Sequence, residues 1–306
     1  MTALAGAAIV AGIDGSPRSL TAVETAASEA ALRHRPLRIV HAFVWPPVGT
    51  VMTPGLVAPM TPGLAAPSLQ AFRDRAEAYL AEAVELAGKV APEVATTADI
   101  VTGRPAPVLL AESRRADLLV LGDRGLGGFT GLIIGSVAVQ TATHGDCPVL
   151  VVRGKQRPDG PVVVGVDGSR TSVLALEFAV EEADLRGAEL VALHVWNGID
   201  LTELNDSLPM TYEFWSGEEE ENRVLAEALA GIAERHPDVR IRRHVRRGSA
   251  RRLLNDQSRI AQLVVVGDRG HGGFTGLLLG SVSQHLIYHA ECPIAVVRPA
   301  LAGAAG

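Results

Sequence analysis

The residues best suited to chemistry in this sequence are glycines set at a fixed spacing before a helix. Residues 121–136 read LGDRGLGGFTGLIIGS, which places Gly122, then two residues, Gly125, then nine residues, then Gly135-Ser136. Residues 266–281 read VGDRGHGGFTGLLLGS and repeat the spacing with Gly267, Gly270 and Gly280-Ser281. Without a Cβ, Gly122 and Gly125 let the backbone take φ > 0 and let phosphate oxygens approach the peptide N–H groups. A helix opening at Gly135-Ser136 adds free N–H groups, the positive end of its dipole and a hydroxyl donor. Arg124 and Arg269 bring positive charge to the same loops. Together these residues describe a phosphate cradle, present twice; the plainer alternative is a tight strand-to-helix connection.

Two further pairs accompany the loops. Asp14 and Asp167 end apolar runs, where a carboxylate can accept hydrogen bonds from ribose hydroxyls; either could instead cap the helix that follows. His41 and His194 fall at the ends of second apolar runs and read as structural. Other chemistries find no support. No Gly-Lys-Ser/Thr follows the glycines, and the loop comes too late in its unit for the usual dinucleotide fingerprint. There is no nucleophile elbow and no metal-ligand spacing. Asp123 and Asp268 are the carboxylates within the cradles, with no second group arranged to activate water, so efficient hydrolysis is not indicated.

The elements that position these residues follow from a duplication. The two loop segments are identical at twelve of sixteen positions. AGIDGS (11–16) answers VGVDGS (164–169), VHAF (40–43) answers LHVW (193–196), and CPVLVVR (147–153) answers CPIAVVR (292–298). The offset is 153 early and 145 late, so the first copy holds eight extra residues, in the stretch from Pro46 to Pro67. Its turn chemistry and lack of period predict a long loop. The first copy is expected to run as strand Ala7–Ile13, a helix opened by Ser16-Pro17 and running to about His34, strand Leu37–Phe43, a helix from about Ser68 to Lys89 and strand Thr97–Thr102. Helix Ala106–Arg114, strand Asp117–Leu121, helix Ser136–His144 and strand Val149–Val152 complete it. In the second copy Ser216 and Glu219 suggest a capping box. Apolar strands alternating with helices imply a doubly wound parallel sheet covered on both faces. The expected domains are 1–153 and 161–300, with a linker at 154–160 and a tail at 301–306.

Composition agrees with a folded protein of two domains. The chain has 306 residues, 47% hydrophobic and 20% charged, against a prior of roughly 150 residues per domain. A net charge of −6 disfavours bulk attraction to nucleic acid or anionic membranes. The arginines 242, 243, 246, 247, 251 and 252 form a local basic patch, read as a solvated strand and loop because the first copy lacks it. Cys147 and Cys292 are too few for a disulfide scaffold or zinc site and read as small buried residues. With no secretory signal and no membrane span evident, a cytoplasmic location is expected.

On these residues the chain resembles the universal stress protein family, specifically its tandem, ATP-binding members; the likeness covers nearly all of residues 7–298. The resemblance implies two Rossmann-like, five-stranded parallel sheets of order 3-2-1-4-5, as in adenine nucleotide α-hydrolase-like folds. It implies that Gly12, Ile13, Asp14 and Ala42 receive adenine and ribose in the first copy. Leu121, Gly122, Arg124 and Gly125 would line the pocket there, and Gly135, Ser136 and Val137 would hold phosphates. In the second copy Gly165, Val166, Asp167 and Val195 would take the nucleoside. Val266, Gly267, Arg269 and Gly270 would line that pocket, with Gly280, Ser281, Val282 and Ser283 on the phosphates. The first copy has Ala138 where the second has Ser283, so a weaker first site is expected. The implied ligand is ATP with magnesium as its counter-ion, and the implied partners are a second tandem chain, forming a homodimer, and a further protein. The leading role is a nucleotide-dependent regulator in stress or growth arrest. A slow ATPase and a nucleotide-independent hub are the alternatives.

Overall fold

The computed structural model describes residues 7–44, 50–53, 56–59, 69–126, 134–196, 213–271 and 279–299. The chain divides into two compact units, the first reaching Arg153 and the second running from Gly154 to Pro299. The first unit comprises β1 (Ala8–Ile13), α1 (Pro17–Leu32), β2 (Leu37–Phe43), β3 (Thr50–Thr53), β4 (Leu56–Pro59), α2 (Leu69–Val90), β5 (Thr96–Thr102), α3 (Pro105–Ser113), β6 (Ala116–Gly122), α4 (Ser136–His144) and β7 (Val149–Val152). The second comprises β8 (Val162–Val166), α5 (Arg170–Arg186), β9 (Leu190–Trp196), α6 (Glu213–Ala228), α7 (Ile232–Arg235), β10 (Ile241–Arg247), α8 (Ala250–Gln257), β11 (Leu263–Gly267), α9 (Ser281–His289) and β12 (Ile294–Val297).

In the first unit the parallel strands lie in the order β5-β2-β1-β6-β7, and in the second β10-β9-β8-β11-β12. Counted within each sheet, both are 3-2-1-4-5. The chain leaves the first strand in one direction and returns on its other side, so a crevice opens beyond the carboxyl ends of the first and fourth strands. Central strands are continuous aliphatic runs because helices cover both faces: Ile9, Val10, Leu118, Leu119 and Val120 are buried in one unit, Val162, Val163, Val164, Val264 and Val265 in the other.

Local chemistry sets the helix starts. Ser16 and Ser169 are the N-caps of α1 and α5, their hydroxyls accepting from Ser19 N and Ser172 N at 3.2 Å in each case. Pro17 fits the first turn of α1, where its missing N–H costs nothing.

Helix α1 ends at Leu32 with Arg33 as its cap, in keeping with an expected end at about His34, whose left-handed φ of 51° stops the helix. Two expectations are corrected. The stretch read as a loop contains an antiparallel hairpin, β3 paired with β4; neither TVMT nor LVAP alternates apolar with polar residues, so no strand period shows, and the intervening Pro54-Gly55 lies outside the described residues. Helix α6 begins at Glu213, which places Ser216 inside it and removes the capping box; a serine followed three residues later by glutamate is also compatible with a helix interior, and propensity at one residue is a weak constraint.

Candidate functional site

At the carboxyl edge of the second sheet, β8, β11 and the start of α9 meet around a cavity of about 390 Å³. Gly165, Val166 and Asp167 from the end of β8 line it, with Val195 from β9. Val266, Gly267, Arg269 and Gly270 form the wall leaving β11, and Gly280, Ser281, Val282 and Ser283 form the helix-start wall. Every second-copy residue that the resemblance assigned to the nucleotide therefore borders this one cavity. Ser172, Leu193, Ala250 and Leu254 border it too. Leu193, Ala250 and Leu254 escaped the sequence reading because an apolar residue on a strand or helix carries no mark distinguishing cavity wall from core. The strand order supplies the signal, since it sets α8 beside the first strand.

The loop glycines act differently from expectation. Gly15, Gly103, Gly154, Gly168, Gly187, Gly231 and Gly248 have positive φ among the described residues, whereas Gly122, Gly125, Gly267 and Gly270 do not. Close approach is their reason instead. A Cβ on Gly122 would lie 2.7 Å from the Arg18 carbonyl oxygen, and one on Gly267 would lie 3.0 Å from that of Thr171. A Cβ on Gly125 or Gly270 would run into the carboxylate of Asp14 or Asp167.

That contact identifies what the aspartates do. Asp14 Oδ1 accepts from Ser16 N at 3.0 Å while its Oδ2 accepts from Leu126 N at 2.6 Å, so one side chain ties the end of β1 to the glycine loop. Asp167 repeats this with Ser169 N and His271 N, both at 3.0 Å. The serines, not the aspartates, cap the helices. Burial pushes the Asp167 carboxyl up, but hydrogen bonds from Ser169, His271 and Ser172 outweigh it and leave the pKa below its ordinary value. An ionised carboxylate has about four acceptor positions, so each retains capacity for a ligand hydroxyl.

The helix start presents donors. Gly280 N is consumed by the Asp268 carbonyl at 2.6 Å, and Gln284 N is the first to bond back to Gly280. The N–H groups of Ser281, Val282 and Ser283 therefore precede the intrahelical ladder and have no partner among the described residues, which suits them to an anion. Gly135 and Asp123 repeat the arrangement at 2.8 Å before α4. The Ser283 hydroxyl, expected to donate to a ligand, instead donates to the Gly267 carbonyl at 2.6 Å. Arg269 is exposed at the cavity and its Nε lies 3.4 Å from the buried Asp268 carboxylate, which Arg298 also faces at 3.4 Å. Arg124 is likewise exposed, its carbonyl accepting from Ser16 Oγ at 3.4 Å.

Both histidines are tied into the scaffold. A carbonyl can only accept, so His41 Nδ1 donates to Ile13 O at 3.0 Å and His194 Nδ1 to Val166 O at 2.7 Å. His194 Nε2 faces the Glu221 carboxylate at 2.6 Å. Desolvation lowers the His41 pKa. In the first unit Gly12, Ile13, Asp14, Leu121, Gly122, Arg124, Gly125, Gly135, Ser136 and Val137 gather at the corresponding crevice of β1, β6 and α4, with Ala42 on the adjoining β2.

Fold and site together define a duplicated, doubly wound α/β protein in which each copy sets a glycine-containing loop and a helix N-terminus at the carboxyl edge of its sheet. The universal stress protein family profile matches residues 7–153 and again 160–298, and the chain belongs to that family. A universal stress protein of Mycobacterium tuberculosis is 38% identical over 311 residues, spanning 95% of this chain and 94% of that one. One from Mycolicibacterium smegmatis is 36% identical over 303 residues, spanning 95% and 97%. The crystal structure of a universal stress protein from Archaeoglobus fulgidus shares the fold, with a TM-score of 0.66 at 18% identity, covering 95% of this chain and 96% of that one. Among the described residues no helix is long and apolar enough to cross a membrane.

Proposed function

We propose that this universal stress protein is an adenine-nucleotide-binding regulator whose second copy holds ATP. The observation that carries the reading is the 390 Å³ cavity, lined by Asp167 and Val195 together with the glycine loop and the start of α9, whose first amides have no partner among the described residues. A base and ribose fit the apolar end between Val166, Val195 and Leu254; the phosphates fit Gly270 and Ser281, with Arg269 offsetting their charge. The Asp268 carboxylate is engaged by two arginines, so magnesium would be carried by the nucleotide's own phosphates. Binding, not turnover, is the proposed activity: no carboxylate or imidazole among the described cavity-lining residues other than Asp167 could activate water, and Asp167 is held by two backbone amides. Occupancy would then be read by a protein partner, with the chain acting in the cytoplasm as a homodimer.

The test is direct. Protein denatured after purification should release adenine nucleotide on anion-exchange chromatography, and calorimetry should show ATP binding that Gly270→Glu removes. No nucleotide and no heat would defeat the reading in favour of a nucleotide-independent hub. Rapid turnover at saturating ATP, abolished by Gly270→Glu, would replace the binding module with an ATPase.

A further inference from the structure

The two copies match at their loops and part company at the cavity floor. Gly165, on the floor of the second cavity, is partly exposed, whereas its counterpart Gly12 is buried. The cause lies on the adjacent strand. Gly12 pairs in register with Leu121 of β6, and with no side chain on Gly12 the leucine lies across it. Leu121 Cδ2 stands 2.5 Å from the point a Cβ on Gly12 would occupy, and the two methyls of Leu109 from α3 stand at 2.8 and 3.1 Å. In the second copy the same places hold Val266 and Leu254. The nearer Val266 methyl keeps 3.5 Å from the point above Gly165, and the Leu254 methyls keep 3.0 and 3.6 Å. Valine is one carbon shorter and branched at Cβ, so it cannot fold over its neighbour as leucine does. Space that belongs to the cavity in one copy is filled by hydrocarbon in the other.

The rim differs in the same sense. Tyr79 of α2 presses its ring against Gly15 and meets His41 edge-on at 5.9 Å between centroids. The second copy has the smaller Val224 in that position, with one methyl 3.1 Å from the point above Gly168. The Ala138-for-Ser283 exchange does not account for the asymmetry, because the Ser283 hydroxyl proton is already given to Gly267.

We propose that the second copy alone takes up nucleotide and that Leu121 keeps the first copy closed, so that the chain binds one nucleotide instead of two. The inference rests on the nucleotide reading above and specifies which half of the duplication performs it. The first copy keeps its loop and Asp14 clamp as architecture, and its crevice becomes competent only when the leucine is shortened.

Calorimetric titration of the intact chain with ATP should give one equivalent, and azido-ATP should label peptides from β9 and α8 but none around Ala42. Gly270→Glu should remove all binding, while Leu121→Val should raise the stoichiometry towards two and bring label to the first copy. Two equivalents in the unsubstituted chain, label at Ala42, or a full equivalent surviving Gly270→Glu would overturn the proposal. A stoichiometry that stays at one in both Leu121→Val and Leu121→Ala, each folded by circular dichroism, would overturn the role of Leu121. Absence of any binding would remove the nucleotide reading itself, whereas two equivalents would remove only this inference.

Discussion

Asp167 joins a strand end to a loop through two backbone amides, and its ionisation is therefore part of the fold. Its pKa is lowered in the native state, so by linkage its stabilisation is complete above the ordinary value of 3.8 and is lost as pH falls through the lower native value. Asp167→Asn should cost about 1.5–3 kcal/mol at neutral pH, the usual range for a charged hydrogen-bond acceptor, and should flatten the acid limb of urea unfolding. An unchanged midpoint would show that the loop holds itself in place. Glu29 titrates in the opposite sense. Burial raises its pKa from 4.5 to about 6, with the Arg33 charge and hydrogen bond pulling the other way. The native state therefore binds the proton more tightly, and stability falls as pH rises from 4.5 to about 6. The drop is about 2 kcal/mol at 1.36 kcal/mol per unit, and unfolding measured across that window should show it in the intact chain and not in Glu29→Gln. At this scale the sequence was a partial guide. The positions of Gly125 and Asp14 were legible, but the reason for the glycine, a carboxylate in the place of a Cβ, depends on a contact made 111 residues away in the chain.

The best-read elements carry their own boundary chemistry. Helix α4 spans Ser136–His144 and strand β7 Val149–Val152, as expected from a Gly-Ser start and an apolar run after Cys147-Pro148. Helix α6 and the β3–β4 hairpin were misread because their limits depend on neighbours that local preference does not encode. Where a cap is visible in sequence, its energy should be measurable. Ser16→Ala loses the bond to Ser19 N and the weaker contact with the Arg124 carbonyl, so it should destabilise the first unit by about 1 kcal/mol. Ser16→Gly should cost only a few tenths of that, since glycine leaves the amides to water. Thermal unfolding of the two variants separates the cap from nonspecific disruption: equal losses would mean that the hydroxyl is not the source.

Across the whole chain, the repeat made the duplication and strand order legible, while the extent of each unit depends on contacts that sequence does not display. The basic patch follows the plainer reading in part, because Arg242 pairs with Glu189 at 3.1 Å, Arg252 lies 3.9 Å from Asp256, and Arg247 stacks over Trp196. Residues 154–160, expected as a linker, are bound to the second unit. Lys155 N donates to Glu291 O at 2.9 Å, Arg157 Nη1 to the same carbonyl at 2.9 Å, and Gln262 Nε2 to Gly160 O at 2.6 Å. Gly154 takes φ of 61° where a Cβ would collide with the Glu291 backbone, so this turn requires glycine. At about 1 kcal/mol net per hydrogen bond, these contacts contribute roughly 2–3 kcal/mol to the second unit. A fragment of residues 154–299 should therefore unfold at higher urea than one of residues 161–299. Restoring the segment with Arg157→Ala should recover only part of the difference. Coincident midpoints for the two fragments would return 154–160 to the status of a passive connector.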